Sequence, residues 1–154
     1  MERRDVLHLL AGALGLGILS SCEQEFSPYQ NELGPDRRNL NYLNLDKLLK
    51  SNSNKTALRI AFIADTHNHY DEFNESVDLI NQDDSIDFIV HLGDVTDRGY
   101  EKEYKLSHDI LSRFNKPYLT AIGNHEYFTQ NGGNVYRTMF GEVNFSFRLQ
   151  DKKF

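Results

Sequence analysis

"LRIAFIADTHNHYDEF", residues 58–73, decides the fold. It opens as a run of apolar and β-branched residues interrupted only by Arg59, the pattern of a strand buried on both faces. It then breaks at Asp65, with His67 two positions on. A buried strand that ends in a carboxylate and an imidazole needs a reason, because a desolvated charge is costly unless it is paired or bound to a metal. The strand is followed by Asp71–Gln82, where Phe73, Val77 and Ile80 recur at helical spacing.

The same design recurs twice. IDFIVHL, Ile86 to Leu92, reads as a second apolar strand and runs into GDVTDRG. A second helix is expected over Glu101–Phe114, with Tyr104, Leu111 and Phe114 on one face. PYLTAIG, Pro117 to Gly123, reads as a third strand, with proline at its permitted first position, and runs into Asn124-His125-Glu126. Strands alternating with amphipathic helices predict an α/β fold: a βαβαβ parallel sheet flanked by helices.

Ligands of such sheets lie beyond the carboxyl ends of the strands. Asp65 and His67, Asp94 and Asp97, and Asn124 and His125 are therefore expected on one rim. Carboxylate, imidazole and carboxamide together suit borderline-hard divalent metals such as Mn, Fe or Zn. Without a cation, clustered carboxylates would repel one another and their pKa values would rise. Gly93 and Gly123 each precede a candidate ligand and allow sharp turns there.

Taken together, Asp65-x-His67, Gly93-Asp94-x-x-Asp97-Arg98-Gly99 and Gly123-Asn124-His125-Glu126 resemble the calcineurin-like metallophosphoesterases. The resemblance is strong from Leu58 to Phe128 and weaker beyond. It implies the N-terminal half of that family's α/β/β/α sandwich and two divalent metal ions. Asp65 and His67 would hold the first metal, Asp94 would bridge both, and Asn124 would bind the second through its amide oxygen. His125 would sit beside the substrate, oriented by Asp97 as a His–Asp pair, and would protonate the leaving oxygen or stabilise developing charge. Arg98 would grip a phosphate oxygen. The implied reaction is hydrolysis of a phosphomonoester or phosphodiester by a metal-activated hydroxide. GDVTDRG and GNHE also resemble the Ser/Thr-type protein phosphatases, which stand as an alternative. A non-catalytic metal-binding lipoprotein is another.

The family carries two further metal-binding stretches, a lone His and a Gly-His-x-His, whereas no histidine follows His125 here. The expectation is therefore a metallophosphoesterase domain over residues 56–154, incomplete at its C-terminus. It would be a fragment of a longer protein, a shortened remnant, or a half completed by a separate chain.

Other polar residues read as structural. His69 is expected on the rim, His91 packed behind it and His108 solvated on a polar helix face. Glu126 is expected to fix its loop. Asp83, Asp84 and Asp87 form an acidic turn whose spacing fits no calcium loop. After Tyr127 a Gly/Asn-rich loop (QNGGN), an apolar stretch at Met139 and Phe140, a strand over Val143–Leu149 and a turn at QDKK are expected.

Upstream, residues 22–55 read as a polar tether with a short amphipathic helix carrying Leu40, Leu43, Leu45, Leu48 and Leu49. Residues 1–21 read as a lipoprotein signal peptide. Arg3 and Arg4 precede an apolar stretch, Val6 to Leu19, that is shorter than the roughly 20 residues a spanning helix needs. Leu19-Ser20-Ser21-Cys22 resembles a bacterial lipobox, which implies cleavage before Cys22, its lipidation, and a lipid-anchored place in the bacterial cell envelope. Arg3-Arg4 also resembles a twin-arginine export signal. Cys22 is the only cysteine, so no intrachain disulfide can form. A net charge of −6 leaves no basic footprint for nucleic acid. The partners expected are a phosphate ester substrate and a lipid anchor, and no protein partner is identifiable.

Overall fold

The computed structural model describes residues 33–52 and 55–154. The expected signal peptide, Cys22 and the part of the expected tether before Leu33 lie outside the described residues. Three short strands, β1 (Ile60–Ile63), β2 (Phe88–His91) and β3 (Tyr118–Thr120), form a parallel sheet in the order β1-β2-β3. Ile60 pairs with Phe88, and Ile89 with Tyr118. Helices α1 (Leu40–Ser51), α2 (Tyr70–Gln82), α3 (Glu101–Leu111) and α4 (Gly132–Met139) surround it. The βαβαβ order expected from the alternating pattern is present.

Side chains alternate across the sheet, so each strand feeds two cores. Ala61, Ile63, Ile89 and Tyr118 pack with Phe73 and Val77 of α2, Tyr104 and Leu111 of α3, and Val135 and Met139 of α4. Ile60, Phe88, Val90 and Leu119 pack with Leu45 and Leu48 of α1 and with Leu149. This two-sided burial explains why the strands read as continuous apolar runs. The strands stop earlier than their apolar runs do. The backbone turns into positive φ at Asp65 (55°), Gly93 (110°) and Asp94 (56°), which ends pairing before the polar residues.

The free edge of β3 is closed by side chains. Asn41 Nδ2 donates to the Thr120 carbonyl at 2.8 Å, and Asn41 Oδ1 accepts from the Thr120 N–H at 2.8 Å. Asn44 Oδ1 accepts from the Tyr118 N–H at 3.5 Å. Two asparagines about one turn apart on α1 thus take up the Tyr118 and Thr120 N–H groups and the Thr120 carbonyl, which blunts this edge as a template for another strand.

Three local expectations are corrected. QNGGN is not wholly a loop, because Gly132, Gly133 and Asn134 form the first turn of α4. Glycine is needed there: a side chain at Gly132 would overlap the Glu126 carbonyl, and one at Gly133 the Tyr127 ring. The strand expected over Val143–Leu149 shrinks to β4 (Arg148–Leu149), paired antiparallel with β5 (Lys152–Lys153) across a turn at Gln150. Phe147 and Phe154 exchange backbone hydrogen bonds at 3.1 and 2.9 Å and stack with centroids 5.1 Å apart, which anchors this hairpin. His108, expected in solvent, is buried, because the Pro35–Arg37 3-10 turn lies against α3, where Arg37 Nη2 donates to Asp109 at 2.9 Å. Among the described residues, no helix is long and apolar enough to cross a membrane.

Candidate active site

The loops after β1, β2 and β3 are stitched to one another by their own backbones. Asp65 N–H donates to the Gly93 carbonyl and His67 N–H to the Asp94 carbonyl, both at 3.2 Å. His125 N–H donates to Asp94 Oδ1 at 3.0 Å. Asp94 therefore holds a carbonyl toward the first loop and a carboxylate toward the third.

Behind it lies Glu126, fully buried. One carboxylate oxygen accepts from the N–H groups of Asp94 (3.0 Å) and Gly123 (2.7 Å). The other accepts from Thr96 N–H (2.9 Å) and Thr96 Oγ1 (3.0 Å). A buried carboxylate is tolerable here because four donors converge on it. Glu126 fixes the second and third loops together, a role the sequence suggested for its own loop only. Thr96 carried no sequence signal at all.

These contacts bring donor atoms of His67, Asp94 and His125 within 4.8 Å of one another, a group able to hold a metal ion. Both imidazoles are oriented from behind. His67 Nδ1 lies 3.2 Å from the Thr96 carbonyl and His125 Nδ1 lies 2.7 Å from the Asp97 carbonyl. A carbonyl only accepts, so each Nδ1 carries its proton and each Nε2 keeps a lone pair. That is the usual arrangement of a metal-binding histidine. The donor set of two imidazoles and a carboxylate fits Mn, Fe or Zn.

Asp65 stands beside this group, with Oδ1 3.8 Å from His67 Nε2 and its side chain largely exposed. Asn124 is exposed between Gly123 and His125, and its carbonyl accepts from Tyr127 N–H at 3.1 Å. Asp97 does not orient His125 through its carboxylate, which stays 3.9 Å from Nδ1, because its main-chain carbonyl is closer and already takes that proton. Arg98 is mostly exposed, with Nε 3.4 Å from Asp97 Oδ2. His69 is exposed at the start of α2.

His91 is fully buried behind the rim. Its Nδ1 accepts from Gly93 N–H at 3.3 Å, which puts the proton on Nε2, 3.0 Å from Thr66 Oγ1. Burial holds its pKa down at about 4, so it is a neutral packed residue in contact with Phe73, as the sequence suggested. Backbone strain also gathers at this rim. Of the five non-glycine residues with positive φ among the described residues, Asp65, His67 and Asp94 are three. Such strain persists only where surrounding contacts over-determine it, and it clusters at functional sites. A groove of about 520 Å³ between α1 and the end of α3, lined by Lys47, His108, Phe114 and Tyr118, contains none of these residues.

The family model for calcineurin-like phosphoesterases matches residues 58–152, from the start of the first apolar run to the terminal hairpin. The chain belongs to the calcineurin-like phosphoesterases. No curated protein matches it. Membership implies a metal-dependent hydrolase acting on phosphoesters, and the His67–Asp94–His125 group is where this phosphoesterase would take a divalent metal.

Proposed function

We propose that the rim hydrolyses phosphomonoesters or phosphodiesters, with Asp65, His67, Asp94 and Asn124 as ligands of two divalent cations. The observation that carries this reading is that the ligands His67 and Asp94 converge with His125, the proton-bearing group beside them, within 4.8 Å, and that both imidazoles are held from behind by carbonyls. Bound cations supply Lewis acidity to water and to the phosphoryl oxygens. The protein's own residues do the rest. Asp94 would be a ligand of both cations, and its carboxylate anchors the third loop through His125 N–H. His125, half-buried beside His67, would deliver a proton to the leaving oxygen from Nε2 once protonated there. Asp97 holds that ring through its carbonyl and lends negative charge to its cationic form. Arg98, mostly exposed, is available to a phosphate oxygen.

The test is elemental analysis of Mn-loaded protein beside its Asp94→Asn variant, with hydrolysis of p-nitrophenyl phosphate and its bis-ester. Two cations in the native protein, lost or halved by the substitution, together with hydrolysis, support the reading. A variant that retains full metal would overturn it. One observation favours a single-metal binding role as the second reading: the assembled group has three donors, enough for one cation, while Asp65 and Asn124 are exposed. One cation and no hydrolysis would favour that role.

We also propose a lipid anchor at Cys22 and an envelope location. The support is the order of arginines, apolar stretch, small residues and cysteine at the N-terminus. Mass analysis of the N-terminal peptide from membranes of a producing bacterium would find an acylated Cys22, and an unmodified Met1 peptide would refute it.

A further inference from the structure

We propose that Phe128 forms a subsite for a planar apolar group on the substrate's leaving side, so that the preferred phosphate esters carry an aromatic ring near the reacting phosphorus. This rests on the phosphoesterase reading above and deepens it. Phe128 is joined to the metal-binding group by ring contacts. His67 and His125 have centroids 4.2 Å apart and His125 and Phe128 4.4 Å apart. The last ring belongs to a residue with no part in either core and remains 59% exposed. Its backbone is set, because Phe128 N–H closes the 3-10 turn on the His125 carbonyl at 3.3 Å.

Its neighbour Tyr127 differs. That ring lies against Gly133 of α4, where an added Cβ would come within 2.7 Å of it. Tyr127 thus has a packing reason, while the ring contact of Phe128 is with His125. An exposed phenyl group touching the proposed proton donor leaves apolar surface in water that a flat substrate group would bury. Rings prefer offset or edge-to-face contacts at 4.5–7 Å between centroids, so such a group would add to these contacts.

The test uses the full chain loaded with Mn²⁺, titrated calorimetrically with phenylphosphonate and methylphosphonate, which need no turnover. Phenylphosphonate is expected to bind about 3- to 10-fold more tightly. Phe128→Ala is expected to bring the two within about twofold while manganese uptake and circular dichroism stay unchanged. Phe128→Leu, which keeps apolar bulk without a flat face, should fall between. A phenyl preference that survives Phe128→Ala overturns the subsite alone. Failure of both phosphonates to bind the native protein overturns the phosphoester reading and the subsite with it.

Discussion

Glu126 grips Thr96 twice, accepting from its N–H at 2.9 Å and its hydroxyl at 3.0 Å with the same carboxylate oxygen. The other oxygen joins Asp94 to Gly123. One side chain from the third loop therefore fixes the second, and the protein's own hydrogen bonds shape the metal-binding group. Positioning of this kind keeps the ligands close without a long loop.

Glu126→Ala tests that statement. It removes the acceptor of three backbone N–H groups, one buried at Thr96 and two part-buried at Asp94 and Gly123, a buried one costing about 1–3 kcal/mol. The expected outcome is a fall in unfolding free energy of about 3 kcal/mol or more by urea titration, with manganese affinity weakened roughly 10- to 100-fold. Native stability and native affinity together would show that the loops are held some other way.

Gly123→Ala should act on the ligand directly. The added methyl group would overlap both the Asp94 carboxylate and the Asp94 backbone nitrogen. Since backbone cannot swing aside as a long side chain can, the second loop has to move. Overpacking of this sort typically costs about 1–3 kcal/mol. Metal uptake should fall with it, and calorimetry showing unchanged manganese binding would contradict the close approach described here.

The edge of β3 makes a separate prediction. Asn41→Leu keeps side-chain bulk but removes the acceptor for the buried Thr120 N–H. The Thr120 carbonyl keeps one partner, since Tyr136 Oη donates to it at 2.5 Å. The expected loss is about 1–3 kcal/mol, essentially the orphaned N–H. Asn41→Asp should do worse than Asn41→Leu, because a carboxylate faces the carbonyl that Nδ2 had served. Hydrogen exchange at Thr120 should quicken in both, and slow exchange there would speak against the pairing.

His91 sets a pH dependence. Its folded-state pKa is held by burial at about 4, below the ordinary 6.5, with Asp94 opposing that shift and His67 adding to it. Between those values the unfolded chain binds a proton that the folded chain refuses. Stability is therefore complete above about 6.5 and is lost as pH falls toward 4, by on the order of 3 kcal/mol from this group. The metal-free protein and its His91→Gln variant, unfolded in urea from pH 7.5 to 4, should differ in slope across that window. Parallel curves would show that His91 does not titrate as its burial dictates.

The sequence by itself determined the three strands, the two intervening helices and the polar stretches at the strand ends. Those features follow from local periodicity and from residue chemistry, both visible in one dimension. What only the tertiary structure decided is who holds whom. Asn41 reads as an ordinary helix residue until β3 offers it a bare edge 79 residues later. His108 reads as solvated until the Pro35–Arg37 turn covers it. Asp97 was matched to His125 as a carboxylate, yet its carbonyl lies nearer, and no spacing rule distinguishes the two. Val143–Leu149 alternates like a strand, but pairing needs a partner in register, and Lys152–Lys153 supplies only two residues of it. The physical reason is common to all four: burial and hydrogen-bond choice depend on groups distant in sequence, which local pattern does not encode.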